Sequence, residues 1–276
     1  MAPYNGTMHE LSSPDAPLIG ADDPAPVSVH NGNGRASAIV LCDHGSNAVP
    51  KALRGLGLTE RELHLHIAWD VGAASVTRRL ADALDAPAVL ANYSRLVVDC
   101  NRPLDHPTSI ASESDGVRIP ANIAVTEAEA RRRAEAIFWP YHRKIGAGLA
   151  GFAVRGVLPA IVSVHSFTAT LGGHRRPWQV GVLWDRDDRV AAPLIAALRA
   201  GGMEVGDNHP YSGRMRFGYS IEVHATECGL PNVLIELRED MVADEEGQAR
   251  MAAALAGALL PVLADPALYA RWAGAE

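Results

Sequence analysis

The sequence predicts an α/β fold: a single domain built on a mixed, mostly parallel sheet with helices on both faces. Three observations predict it. Apolar runs of strand length, Ala38–Cys42, Ala160–Val164 and Val233–Leu237, alternate with longer segments of helical period, the pattern of helices wrapped over a parallel sheet. Those runs are β-branched and nearly continuous, as strands covered on both faces are. Hydrophobic residues make up 48% of the 276 and charged residues 21%, with no internal repeat or composition break to mark a second domain.

Taken in order, residues 1–36 cluster Pro, Gly, Asn, Asp and Ser without a sustained period. They read as an irregular N-terminal arm, docked at most through Pro17–Ile19 and Val27–Val29, and the folded domain spans 37–276. A strand at 37–42 leads into the turn His44–Pro50. Thr59-Glu60-Arg61-Glu62 reads as a capping box, because Thr and Glu at that spacing satisfy each other's backbone donors. Asp70–Leu84 carries a second helical period. Ala88–Ala91 and Leu96–Asp99 read as short strands, and residues 103–122, rich in Pro, Ser, Asp and Gly, as a long loop. A helix starts at Thr126 and runs toward Trp139; Pro140 either ends or kinks it. The run ending in His165 is a strand, followed by a Gly/Arg loop at 171–177 whose Arg175 and Arg176 read as surface charges. Val180–Trp184 is a strand, Ala191–Ala200 a helix stopped by Gly201-Gly202, and 206–219 a loop. The strand carrying Glu236 and a helix from Glu245 to Ala264 close the chain.

A net charge of −7 leaves no global basic field for nucleic acid or an anionic membrane. No apolar run reaches the roughly 18 residues of a membrane span, and the N-terminus lacks the basic and then apolar stretch of a secretory signal. Cys42, Cys100 and Cys228 form no CxxC pair, which suits a reducing compartment. The expectation is a cytoplasmic protein without nucleic-acid or membrane partners, and homo-oligomers are compatible with it.

The candidate chemistry sits at strand ends, where open α/β sheets hold their ligands. His44 and His165 repeat one context: an apolar strand, then His, then Gly or Ser. A lone histidine there is commonly structural, but a repeated pair suits a metal, since neutral imidazoles and one open position make a catalytic zinc site. The third ligand is either Asp70, which could instead cap a helix, or Asn47, three residues after His44. Asp43 is a ligand or the partner that orients one. Glu236 lies among Leu234, Ile235 and Leu237, where a carboxylate needs an ion-pair partner such as Arg238 or a function such as general base. Asn101-Arg102 and Arg95 flank the 96–99 run and could hold a substrate carboxylate; Arg102 could equally pair with Asp99 or Asp105. His209 and His224 are two further histidines in suggestive places.

The ordered set His44-Gly45-Ser46-Asn47-Ala48-Val49-Pro50, Ile67–Ala73, Val98-Asp99-Cys100-Asn101-Arg102-Pro103, Val164–Thr168, Asn208-His209-Pro210-Tyr211-Ser212-Gly213 and Ile235-Glu236-Leu237-Arg238 resembles the N-formylglutamate amidohydrolase family. The resemblance covers about residues 38–242 and makes 37–276 the amidohydrolase domain. It implies a zinc-exopeptidase (phosphorylase/hydrolase)-like fold and one zinc per chain on His44 and His165. It also implies Glu236 as general base, and Asn101, Arg102, Arg95, Tyr211 and Ser166 as substrate-binding residues. The implied reaction converts N-formyl-L-glutamate, a small acidic N-acyl amino acid, to formate and glutamate. Two positions depart from the pattern: Asn47 stands where related carboxypeptidases place a ligand glutamate, and His209 where a glutamate is expected. A deacylase or peptidase of other acyl specificity, or a non-catalytic carboxylate-binding protein, are the alternatives.

Overall fold

The computed structural model describes residues 17–215, 218–272 and 274. Its centre is a seven-stranded sheet of β1 (Val27–His30), β2 (Ala38–Cys42), β3 (Ala88–Ala91), β4 (Ala160–Phe167), β5 (Val180–Leu183), β6 (Val205–Asp207) and β7 (Asn232–Arg238). The spatial order is β1-β3-β2-β4-β7-β5-β6. β3, β2, β4 and β7 run parallel to one another, β5 is antiparallel to β7, and β1 closes the far edge antiparallel to β3. This is a mixed, mostly parallel sheet in a single α/β domain.

The helices are α1 (Glu60–Leu63), α2 (Ala73–Leu84), α3 (Glu127–Arg133), α4 (Trp139–Val154), α5 (Ala191–Ala200) and α6 (Glu245–Leu263). They cover both faces, as near-continuous apolar strands require. Val40, Cys42, Val162, Val164, Val233 and Ile235 pack with α2, α5 and α6 in one core. Ile39, Leu41 and Ile161 turn the other way, onto Phe138, Tyr141, Ile145 and Phe152 of the α4 layer.

The expected capping box is present: Thr59 accepts from the Glu62 N–H while the Glu62 carboxylate accepts from Thr59 N–H. The helix from Thr126 continues through Pro140, because one π-turn, Ala134–Phe138, joins α3 to α4 and leaves the proline at the start of α4, where a missing N–H is tolerated. Three expectations are corrected. The segment read as an irregular arm contains β1, whose four residues take the open edge of β3; the part of it before residue 17 lies outside the described residues. Leu96–Asp99 is no strand. The chain turns at once after β3, with Val97 N–H donating to Ser94 and Asp99 N–H to Ser109, and the edge it would have joined belongs to β1. Residues 206 and 207, read as the start of a loop, belong to β6 and pair with β5.

Candidate active site

Register builds the site. β4 continues through His165 to Phe167, and His165 is the cross-strand partner of Glu236, whose other neighbour is Gly181 of β5. Ile161, Ser163 and His165 share one face of β4, so the face that is apolar beneath α4 turns polar toward the carboxyl end. β2 ends at Cys42, and the next two residues, Asp43 and His44, leave the sheet beside this row. Gly72 carries a left-handed φ of 77°, and a Cβ there would lie 2.4 Å from the Val242 carbonyl oxygen. This glycine is the N-cap of α2, so the Asp70 carboxylate is not used as a cap.

Three buried side chains converge. His44 Nδ1 lies 3.3 Å from Asp70 Oδ2 and His165 Nδ1 lies 2.9 Å from the same oxygen. The candidate ligand atoms of the three residues are all within 4.8 Å of one another. The opposite ring nitrogens are held by two further carboxylates: His44 Nε2 by Asp99 at 2.7 Å and His165 Nε2 by Asp43 at 2.9 Å. A carboxylate that accepts from Nε2–H leaves the lone pair on Nδ1. Both Nδ1 atoms then face the same Asp70 oxygen, where a proton or a cation can sit between nitrogen and carboxylate.

The electrostatics agree. Burial would raise the Asp43 carboxyl, but hydrogen bonds from His165 and Ser220 and the imidazole charges hold it well below the usual carboxylate range. Burial would likewise raise Asp70 and Asp99; Arg95 with the two histidines lowers the first, and His44 with Arg95 the second. Against the opposing effect of its burial, His165 is raised to about 10 by Asp43 and Asp70. Arg95 donates to Asp70 and lies against His44 Nδ1, placing a guanidinium beside the ligand atoms. Asp43 is also the acceptor for Tyr141 of α4 at 2.7 Å, for Ser163 at 3.3 Å and for Ser220 at 2.5 Å, tying β2, β4 and the 218–226 segment together.

Glu236 is buried, and its Oε2 has no hydrogen-bond partner among the described residues. Burial pushes its carboxyl up to about 7, with His165 and Arg95 pulling in the opposite direction and Asp70 adding to the rise. A carboxylate with that basicity in the lining of a cavity can take a proton at neutral pH. The cavity holds about 610 Å³ and includes His44, His165 and Glu236 in its lining.

The other expected residues fall as follows. Asn101, Arg102, Arg95, Ser166 and Tyr211 all line that cavity. Asn101 Oδ1 accepts from the N–H groups of Tyr219 and Ser220, so its NH₂ is the end available to a ligand. Arg102 donates to the Asn101 carbonyl at 2.9 Å. Tyr211 Oη accepts from Arg176 at 3.2 Å. Arg176, read as a surface charge, is buried under Phe167 and Tyr211 and donates to Thr168. Arg238 pairs with Asp240, so Glu236 is not its partner. Asn47 donates its amide to the Leu63 carbonyl at the end of α1, at 3.0 Å. His209 stacks on Trp178 with ring centroids 4.6 Å apart, and His224 pairs with His142 at 3.0 Å; neither joins the cluster. Asp99, Tyr141, Ser163 and Ser220 were not singled out as parts of the site. The serine inside the apolar β4 run was the available signal, since period-2 polarity marks the face that lines a cavity.

Comparison with known proteins adds the following. The chain matches the N-formylglutamate amidohydrolase family over residues 36–243. It is similar to the crystal structure of a gene product from Agrobacterium tumefaciens at 32% identity, covering 89% of this chain and 98% of that one, with a TM-score of 0.86. It also shares its fold with the crystal structure of an N-formylglutamate amidohydrolase from Ralstonia eutropha, at 20% identity, 87% and 97% coverage and a TM-score of 0.60. No match was found among curated proteins.

Proposed function

The chain belongs to the N-formylglutamate amidohydrolase family, and from that premise we propose that it hydrolyses the amide of a small acidic N-acyl amino acid, N-formyl-L-glutamate being the substrate that membership implies. His44, Asp70 and His165 would hold a single zinc ion. Their fit rests on the donor set: two imidazoles and a carboxylate converging on one point, each imidazole oriented by its own buried carboxylate. Asp70 supplies the carboxylate that Asn47 lacks, which weakens the non-catalytic reading. Zinc at such donors acts as a Lewis acid toward the scissile carbonyl and lowers the pKa of water.

In this reading the Glu236 carboxylate takes the proton of the attacking water and returns it to the leaving nitrogen. Its burial, which raises the carboxyl to about 7, suits both halves of that transfer. The Arg102 guanidinium and the Asn101 amide hold the substrate carboxylate. Arg95 and Tyr211 bring donors to the same cavity, where developing negative charge on the substrate is stabilised by fixed dipoles and cations. No helix among the described residues is long and apolar enough to cross a membrane. The free Cys42, Cys100 and Cys228 favour the cytoplasm.

The observation that carries the reading is the unpartnered Oε2 of buried Glu236, in register with His165 of the His–Asp–His cluster. The test is formate release from N-formyl-L-glutamate by purified protein, before chelation, after chelation and after zinc is restored. Activity that disappears with the chelator and returns with zinc supports it. A zinc-loaded protein that releases no formate from any N-formyl amino acid overturns it.

A further inference from the structure

Two histidines that the chemistry above does not use, His142 and His224, are joined by hydrogen bonds to the substrate end of the site. His142, near the start of α4, places Nε2 2.9 Å from the Cys100 carbonyl oxygen and Nδ1 3.0 Å from His224 Nε2. A carbonyl only accepts, so His142 carries its proton on Nε2 and offers the lone pair of Nδ1. His224 must then donate from Nε2, and one backbone carbonyl fixes the tautomers of both rings. Burial keeps the pair neutral: it lowers His142 to about 4 and lowers His224 too, against the pull of Asp43. Phe138 and Tyr219 wall the His142 ring, their centroids 4.3 and 4.8 Å from its own.

The peptide between Cys100 and Asn101 is what this chain holds. Its carbonyl accepts from His142, and its N–H, that of Asn101, donates to Asp99 Oδ1 at 2.7 Å. The unit is planar, so fixing both ends sets the direction in which the Asn101 side chain leaves the backbone. Asn101 Oδ1 is taken in turn by the N–H groups of Tyr219 at 2.7 Å and Ser220 at 3.0 Å. Gly218 permits that approach, since a Cβ there would lie 3.2 Å from Asn101 Oδ1. The same segment supplies His224, from the π-turn Glu222–Thr226, whose two end residues line the cavity. His224 therefore ties the segment that clasps the Asn101 side chain to the helix that holds the Asn101 backbone. Neither histidine is in the cavity lining.

Resting on the amidohydrolase reading above, we propose that His142 and His224 are positioning residues, a two-imidazole strut that aims the Asn101 amide at the substrate carboxylate. Asp99 Oδ1 receives both the Asn101 N–H and His44 Nε2, but the strut ends on the peptide carbonyl and not on Asp99. Its loss weakens the hold on substrate and leaves the metal ligands as they are.

The experiment compares His224→Phe, which keeps a ring and removes the donor, with His224→Gln, which keeps an N–H donor. Zinc-loaded proteins are measured where all are folded: glutamate binding by calorimetry, zinc affinity by chelator competition, and kcat and KM for formate release from N-formyl-L-glutamate. In His224→Phe the Kd for glutamate and the KM should rise by about tenfold, the scale of one lost buried hydrogen bond. A contact made equally to substrate and transition state leaves kcat unchanged, and zinc affinity should hold. His224→Gln should recover most of the loss. Equal effects on kcat and KM, a parallel fall in zinc affinity, or no recovery in His224→Gln overturns the strut, as does glutamate that fails to bind the unmodified protein. Nitrogen-15 shifts of the unmodified protein at neutral pH read the tautomers without any substitution: both rings should be neutral with the proton on Nε2, and a proton on Nδ1 of either also overturns it. Should no form of the protein release formate, the hydrolase reading falls while the same pattern in glutamate Kd sustains the strut, so the two failures are distinguishable.

Discussion

Glu236 and His165 are direct register partners on the adjacent parallel strands β7 and β4, with their side chains on the same face of the sheet. A base fixed by two strand backbones cannot drift from the histidine cluster without breaking the central pairing of the sheet. The proposed general base is therefore as rigid as the fold itself, and its buried Oε2 makes no hydrogen bond among the described residues.

Glu236→Gln is expected to lower kcat by at least about a thousandfold, which combines loss of a general base with loss of the charge beside the reacting carbonyl. The change is nearly isosteric and removes a carboxylate that burial disfavours, so thermal stability at neutral pH should hold or rise. In the unmodified enzyme, kcat/KM should climb with pH up to about 7, where Glu236 ionises. Cation charge at the cluster displaces that limb downward, and the limb should vanish from the residual activity of the variant. A pH profile of both proteins checks this.

Asp99→Asn tests the orientation of His44. The carboxylate accepts from His44 Nε2 at 2.7 Å from a loop 55 residues away in sequence. Weakening that acceptor lets the imidazole rotate or change tautomer, and outer carboxylates of this kind are worth about 10–100-fold in metal affinity. Zinc affinity measured by chelator competition should fall by that factor while far-UV circular dichroism is unchanged. Unaltered affinity would remove Asp99 from the site.

Much of this arrangement was legible in the sequence, and the parts that were not have a common cause. The strand end at Cys42 and the strands that carry His165 and Glu236 follow from apolar runs whose length and β-branching are local properties, and the Thr59 capping box spans four residues. Asp99 escaped because its role depends on a contact across the fold, and the apolar residues before it suggested a strand. No local feature of Leu96–Val98 reveals that β1 already holds the sheet edge. Arg176 looked like a surface charge in a glycine-rich loop, yet Phe167 and Tyr211 cover it. Gly72 takes over the helix start and leaves the Asp70 carboxylate facing the histidines, a contact that no local feature of the sequence announces.

The pH dependence of the metal-free protein follows from His165. Its pKa is raised from 6.5 to about 10 by Asp43 and Asp70 despite burial, so the folded state binds this proton more tightly than the unfolded state does. That stabilisation is complete below about pH 6.5 and is lost as pH rises toward about 10. Chelated protein should therefore show a falling Tm across this interval. A metal taken up by His165 must displace the same proton, so zinc affinity should rise by about tenfold per pH unit over the same range. Scanning calorimetry of chelated protein and competition titrations at several pH values read the two effects, which should run in opposite directions.

Arg133 connects the stability of the fold to the geometry of the substrate end. Its side chain is 1% exposed and spends its donors on the Val97 carbonyl at 3.2 Å, Asn122 Oδ1 at 2.7 Å, the Ala121 carbonyl at 3.3 Å and Glu129 at 3.0 Å. These bonds pin both ends of the segment that carries Asp99, Asn101 and Arg102 to the helical layer at α3. Removing a buried cation while leaving its acceptors in place costs about 3–5 kcal/mol, so Arg133→Ala should lower stability by that amount in urea titrations. Arg133→Lys keeps the charge but cannot serve four acceptors from one planar group, and an intermediate loss is expected. Because Val97 lies two residues before Asp99, the loosened loop should also weaken the hold on His44 and on the substrate carboxylate. In Arg133→Lys, KM for N-formyl-L-glutamate should therefore rise by about tenfold with kcat less affected, at a temperature where the variant is fully folded. Equal loss in both constants, or none, would show that the 97–122 segment holds its shape without this arginine.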